Sequence, residues 1–165
     1  VNTYDKPIYL AGPMSGIPKF NYPMFDEAAA ELREMGYDIM SPAEMDDPEV
    51  AKVALESPLG ELGDGMIVRG ECHTWGDFLS RDVKLLADEC AGIILLPGWE
   101  KSKGARLECF VAIGCGYDCY FWYPEYKTLM LTSLQVLLHM MTEELIEEVE
   151  QAWKESCLGG LRAAD

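Results

Sequence analysis

The chain is short of basic residues, of histidine and of long apolar runs, and each shortage closes off a class of function. Its 165 residues hold 13 Lys and Arg against 29 Asp and Glu, a formal charge of −16. Such a surface repels phosphate polyanions at long range, so duplex nucleic acid is not an expected partner. Part of the acid, Glu143, Glu144, Glu147, Glu148 and Glu150, reads as one solvated helix face and is accounted for by solubility. His73 and His139 are far apart, and the six cysteines (Cys72, Cys90, Cys109, Cys115, Cys119, Cys157) include no C-x-x-C pair; neither a zinc site nor any cofactor is expected. The longest apolar runs, such as Ala91 to Pro97, are far too short to cross a bilayer. The chain has no G-x-x-x-x-G-K-[ST] and no G-x-G-x-x-G, which removes the usual support for ATP hydrolysis and for NAD chemistry. No secretory signal is read ahead of the fold, and Cys109 and Cys115 sit in an apolar stretch where a free thiol behaves as a small hydrophobe; a reducing cytoplasm is the expected location.

What is present has the size and composition of one folded domain spanning 1–165, able to bury a core without metal or disulfide staples. Pro7 to Ala11 reads as a buried strand ending in a tight turn at Gly12-Pro13. Tyr22 to Met35 shows helical spacing through Phe25, Ala28, Ala29, Leu32 and Met35, stopped by Gly36, and Tyr37 to Met40 reads as a second strand. From about 43 to 75 the pattern degrades into Pro, Gly and Asp clusters, with a short helix possible at Pro48 to Leu55; this is expected to be a lid over a site or a decorative insertion. Trp75 to Glu89 regains helical spacing, Ala91 to Pro97 is the clearest buried strand, Ala105 to Gly114 reads as a helix and Asp118 to Tyr123 as the last strand. A long helical extension is expected at about 126–157, its apolar first half covered by the sheet or by a second copy of the chain. Strands alternating with helices predict an α/β fold with a mostly parallel sheet and right-handed crossovers.

In such a sheet, ligands bind beyond the carboxyl ends of the strands. That rule selects two glycine-bounded loops, Gly12-Pro13-Met14-Ser15-Gly16 and Gly98 to Gly104, both able to bring backbone N–H groups close to an anion. Glu108 falls near the start of the following helix among Leu107, Cys109 and Phe110, where a carboxylate is either a partner of the helix dipole or a reactive group. Asp82 follows Arg81 and is either half of a surface ion pair or functional, and Tyr9 in the first strand is either core or functional.

Four stretches taken together carry a family resemblance: IYLAGPMSG, FNYPMFDEAAAELREMGY, FLSRD and GIILLPGWEKSKGARLE. From Ile8 to Gly116 the chain resembles the nucleoside 2-deoxyribosyltransferase-like superfamily, and within it a bacterial and phage branch with a similar LAGPM start and LPGWEKS centre, related to deoxynucleoside 5′-monophosphate N-glycosidases. The resemblance implies a doubly wound, flavodoxin-like or Rossmann-like sheet of four to five strands and a homo-oligomer, dimer or higher, acting on a small nucleoside or nucleotide. It implies catalytic roles for Glu108 as nucleophile, Asp82 as the partner that assists the leaving base and Tyr9 as the residue that orients Glu108. Cleavage of the N-glycosidic bond would then pass through a covalent glycosyl-Glu108 intermediate, resolved by water or by transfer to another base.

Ser102 stands where the transferases carry an aspartate for the base and the 5′-monophosphate hydrolases a serine for phosphate, so the resemblance favours a nucleotide. Ser102 is equally a cap for the next helix. The first loop lacks the serine and arginine that those hydrolases place after their glycine; Ser15, the amides around Gly16, and Arg81 or Arg106 are the candidates to replace them. The expected substrate-binding set is Gly12, Met14, Ser15, Gly16, Asn21, Trp99, Ser102 and Gly104, with Trp99 and Trp75 either stacking on a base or packing at the rim. The alternative function is a non-catalytic module that senses a nucleotide in the same pocket, and a scaffold built on the C-terminal helix is a third.

Overall fold

The apolar run after Pro7 becomes β1 (Ile8–Ala11), all four residues buried. The computed structural model describes residues 5–162, and the side chain of Cys157 lies outside those described. Strand β1 pairs in parallel with β2 (Ile39–Met40) on one side and β5 (Gly92–Leu95) on the other; β6 (Asp118–Tyr123) continues in parallel and β7 (Thr128–Leu131) closes the edge antiparallel. The mostly parallel sheet is what the alternating pattern predicts, and the order β2-β1-β5-β6-β7, with an antiparallel edge strand, is the doubly wound, Rossmann-like arrangement of the flavodoxin kind that the resemblance implies. The chain leaves β1 toward β2 and later returns across it toward β5 and β6. Right-handed crossovers therefore put α1 (Tyr22–Glu34) on one face and α3 (Trp75–Glu89) and α4 (Lys103–Gly114) on the other.

Strand periodicity then sorts the side chains. Ile8, Leu10, Ile94 and Leu96 join one core cluster with Phe25, Ala28, Ala29 and Leu32 of α1. Tyr9 alternates to the opposite face, toward α3 and α4. Helix α1 forms because its apolar residues recur every three to four positions and bury one stripe. Helix α3 begins with a capping box in which Thr74 accepts from the Asp77 amide while the Asp77 carboxylate accepts from the Thr74 amide.

The 43–75 stretch has more structure than its Pro, Gly and Asp clusters suggest. A turn at Pro42–Glu44 leads to α2 (Pro48–Glu56), whose Asp47 cap accepts from the Glu49 amide at 2.9 Å. A hairpin follows, β3 (Met66–Val68) with β4 (Glu71–His73). Its two-residue loop, Arg69-Gly70, has positive φ at both positions (52 and 84), the twist that suits a tight hairpin. Strands this short, one of them exposed, leave no alternation to read.

The expected helix at 126–157 and the expectation that Asp118 to Tyr123 is the last strand both need correction. Pro124–Tyr126 turns, Lys127 adopts a left-handed φ of 45, and Thr128–Leu131 pairs back on β6. Leu129-Met130-Leu131 is apolar without a break and fits either period; the reversal at Lys127 decides for the strand. The helix, α5, runs from Leu134 to Arg162. The chain divides after Thr132 into the unit built on the sheet and a second unit containing α5. Among the described residues no helix is long and apolar enough to cross a membrane.

The insertion is tied to the loop after β1 by backbone bonds, Gly16 N–H to Gly60 O at 2.9 Å and Lys19 N–H to Ser57 O at 2.8 Å. Gly60 has φ 64, and a Cβ there would stand 1.8 Å from the Ile17 carbonyl oxygen. Gly60→Ala is therefore expected to lower Tm by several degrees and to speed hydrogen exchange at the Gly16 and Lys19 amides. Gly63→Ala, left-handed at φ 57 but facing open space, should cost only backbone strain, about 1 kcal/mol. Equal effects of the two substitutions would contradict this account of the junction.

Candidate functional site

The sheet reverses its direction of growth between β1 and β5, and the loops leaving those two strands part there. At the point of parting the packing is tight: a Cβ on Gly12 would meet Leu96 Cβ at 2.9 Å and Phe25 Cζ at 3.3 Å, so only glycine fits. Beyond it opens a cavity of about 750 Å³. One wall comes from the strand-end loops, with Gly12, Met14, Ser15, Gly98, Ser102 and Gly104. Val50, Ala54, Leu62, Met66, Phe78 and Leu79 from the insertion and α3 make an apolar wall. Asp46, Asp82 and Glu108 supply the acidic groups, and Arg81, Lys101 and Lys103 the basic ones.

Glu108 projects from α4, which starts at Lys103 with Ser102 as its cap, the hydroxyl accepting from the Ala105 amide at 3.3 Å. The first turn of α4 contains no acidic residue. Glu108 therefore lies beyond the turn in which a helix dipole is felt, which removes the dipole reading. Tyr9, fully buried on β1, donates its Oη to Glu108 Oε1 at 2.9 Å. Burial pushes the Glu108 carboxyl up to about 8, with the charge of Asp82 adding to the rise and the Tyr9 bond and Arg81 opposing it. Burial also raises the Tyr9 hydroxyl well above its ordinary range, so it stays a neutral donor.

Asp82 is 7% exposed and so is not half of a surface pair. Arg81 binds one of its oxygens through Nε at 2.8 Å and Nη2 at 2.7 Å. Burial nonetheless raises Asp82 to about 6, against the pull of Arg81 and with a further push from Asp46. Burial disfavours the Arg81 charge, but Asp82 and Asp46 more than offset it and raise its affinity for the proton. Near neutral pH the Glu108 and Asp82 carboxyls thus carry one proton between them, most of it on Glu108.

The remaining sequence-derived residues divide. Gly12, Met14, Ser15, Ser102 and Gly104 line the cavity. Gly16 turns away from it at φ 79 and bonds Gly60. Asn21 supports the loop from behind, its Nδ2 donating to Pro13 O at 2.7 Å. Trp99 is 2% exposed and stacks on Phe121 with centroids 6.1 Å apart, so it packs in the core and not along the cavity wall. Trp75 lines the cavity and is 45% exposed. Arg106 turns its Nη1 to Glu100 O at 2.7 Å, while Arg81, Lys101 and Lys103 are the cations that border the space. Asp46 and Tyr22 lie at the cavity too, Tyr22 Oη donating to Asp46 and Arg81 bridging Asp46 to Asp82. Asp46 escaped the sequence reading because its partners are distant in sequence and the adjacent Asp47-Pro48 reads as a helix start. Among the described residues no three His, Cys, Asp or Glu side chains are grouped to hold a metal ion.

The chain belongs to a family defined only as a domain of unknown function, DUF4406, which it matches over residues 6–121. That span holds Tyr9, Asp46, Arg81, Asp82 and Glu108 and ends inside β6. No curated protein and no solved structure matches the chain.

The buried Glu108 carboxyl has a consequence for stability. The folded protein holds its proton more tightly than the unfolded chain, whose value is near 4.5, so its contribution is fully present below that pH and is lost as pH rises through about 8. Glu108→Gln, which keeps the shape and the acceptor for Tyr9, is expected to be more stable than the native chain at pH 8.5 by on the order of 5 kcal/mol. Thermal melts should show that advantage shrinking toward zero near pH 4.5. An advantage independent of pH would contradict a proton bound at Glu108.

Proposed function

We propose that the chain cleaves the N-glycosidic bond of a nucleoside or nucleoside 5′-monophosphate through a covalent intermediate on Glu108. The observation that carries this reading is the Tyr9–Glu108 hydrogen bond at the strand switch, facing a ligand-sized cavity beside a second buried carboxyl, Asp82. The resemblance to nucleoside 2-deoxyribosyltransferase-like proteins, carried by the same residues, supports it.

The chemistry follows from the two carboxyls. Tyr9 holds Oε1 and leaves Oε2 of Glu108 to attack C1′. As the C1′–O bond forms, the C1′–N bond breaks and its electron pair stays on the base nitrogen. That nitrogen takes the proton of Asp82, since an unprotonated base anion leaves poorly near neutral pH. Water then gives its proton to the Asp82 carboxylate and adds to C1′ from the face the base has left, freeing Glu108 with retention at C1′; a second base in place of water makes the reaction a transfer. The productive arrangement has the shared proton on Asp82 and the charge on Glu108. For a 5′-phosphate, the Ser102 hydroxyl, the Gly104 amide, Lys101 and Lys103 are at hand on the second loop, and Ser15 on the first. The reading includes a homo-oligomer, which an active, monodisperse monomer in solution would exclude.

A specific observation favours a second reading. A Glu108 that is largely protonated near neutral pH suits a hydrogen-bond donor to a bound nucleotide in a module that only senses it.

Base release from a panel of ribo- and deoxyribonucleosides and their 5′-monophosphates, followed by chromatography, separates the two. Release that falls by about 10³-fold or more in Glu108→Ala is the expected result. Tight binding of one panel member without any release would establish the sensor, and release indifferent to Glu108→Ala would sink the nucleophile. The profile of kcat/KM should be bell-shaped, with limbs near 6 and 8: below the first both carboxyls are protonated and no nucleophile exists, and above the second neither has a proton to give.

A further inference from the structure

The loop after β2 supplies a carboxylate that the scheme above leaves unused. Asp46 borders the cavity, and its side chain is 5% exposed. Both of its oxygens are engaged: Tyr22 Oη donates to Oδ2 and Arg81 Nη1 to Oδ1. Arg81 gives its remaining edge to Asp82, with both contacts on Oδ1, so that Oδ2 stays out of the ion pair. The guanidinium is steadied by Phe78, whose ring centroid is 5.7 Å away, and more weakly by Pro42 O at 3.5 Å. One arginine therefore serves two carboxylates, and Tyr22 at the head of α1 fixes the outer one.

An aspartate bonded to an arginine of its own is ordinarily held ionised. Asp46 changes that in two ways, by taking part of the positive charge of Arg81 and by adding a negative charge nearby. Among the described residues, the charged and titratable groups around Asp82 include Arg81 on its own helix, Asp46 from the loop after β2, Glu108 from α4, Tyr9 from β1 and Tyr22 from the head of α1. Arg81 is the sole cation among them, and Asp46 competes for it directly. We propose that Asp46 is a positioning residue which, acting through Arg81, lets Asp82 hold the proton that the departing base receives. The inference rests on the N-glycosidic reading, in which Asp82 is the acid. Near neutral pH Glu108 holds most of the shared proton and Asp82 the smaller share that reacts; without the Asp46 charge, Arg81 pairs with Asp82 alone and that share shrinks further. In the larger share the nucleophile is neutral and the acid ionised, an arrangement that cannot react.

The test uses the full chain with Asp46→Asn and Asp46→Ser, the latter a small acceptor for Tyr22 should the former not fold. In ligand-free protein, 13C-carboxyl NMR, with Asp82→Asn to identify the signal, should show the Asp82 midpoint falling by about one pH unit. In base release, the acidic limb of the kcat/KM profile should move down by the same amount, and the plateau should drop about tenfold, because limb and plateau report one proton distribution. Asp46→Glu, which restores the charge, should bring both back toward the native values. An Asp82 midpoint that does not move in a folded variant overturns the proposal, as does a plateau that drops with no movement of the limb, the mark of a merely structural residue. A midpoint that moves as expected in a protein releasing no base from any nucleoside overturns the N-glycosidic reading and leaves the coupling of Asp46 to Asp82 standing.

Discussion

The register of β1 between β2 and β5 is the constraint on which the rest of the site depends. Tyr9 pairs with Met40 on one side and Ile93 on the other. Because side chains alternate, this register sends Ile8 and Leu10 to the α1 face and Tyr9 to the α4 face, where its hydroxyl reaches Glu108. A slip by one residue would put the phenol among Phe25 and Leu32 and leave a buried glutamate with no donor. Apolar packing on one face thus aims a polar bond on the other. Both depend on a strand of four residues, all of them fully buried.

Around that bond the protein keeps three carboxylates, Asp46, Asp82 and Glu108, in company with one arginine. Two of them bind the guanidinium, and the third accepts from the Tyr9 phenol. Charges removed from water and incompletely paired work against folding, so such a group is not there to stabilise the chain. The surrounding packing supplies that stability: the core between the sheet and α1, the box that caps α3, and the backbone bonds from the insertion to the first loop.

Sequence was a good guide to the parts of the fold in which one pattern holds over many residues. The buried runs at Ile8–Ala11 and Gly92–Leu95 and the helical stripes of α1 and α3 needed no tertiary information. It was a poor guide where a short segment suits two periods, as at Leu129–Leu131, or where strands are three residues long, as in the 66–73 hairpin. The site divides in the same way. Glu108, Asp82 and Tyr9 could be singled out because each lies in a stretch that carries the family resemblance, whereas Asp46 meets Tyr22 and Arg81 only through contacts that folding creates. The two tryptophans exchange the places their surroundings suggest. Trp99, beside a polar loop, turns inward onto Phe121, and Trp75, at the head of an amphipathic helix, borders the cavity.

The two walls of the cavity come from different kinds of segment. The strand-end loops, α3 and α4 carry the charged and hydrogen-bonding groups, while the opposite wall includes side chains such as Val50, Leu62 and Met66, held by α2, the 66–73 hairpin and the segment between them, none of which is part of the five-stranded sheet. Exchanges among those apolar side chains alter the shape of the chamber without moving Tyr9, Asp82 or Glu108. Under the proposed function, what the chamber admits is set largely by a wall that carries none of the proposed reacting groups, so the choice of ligand can be altered there by substitution while those groups keep their places.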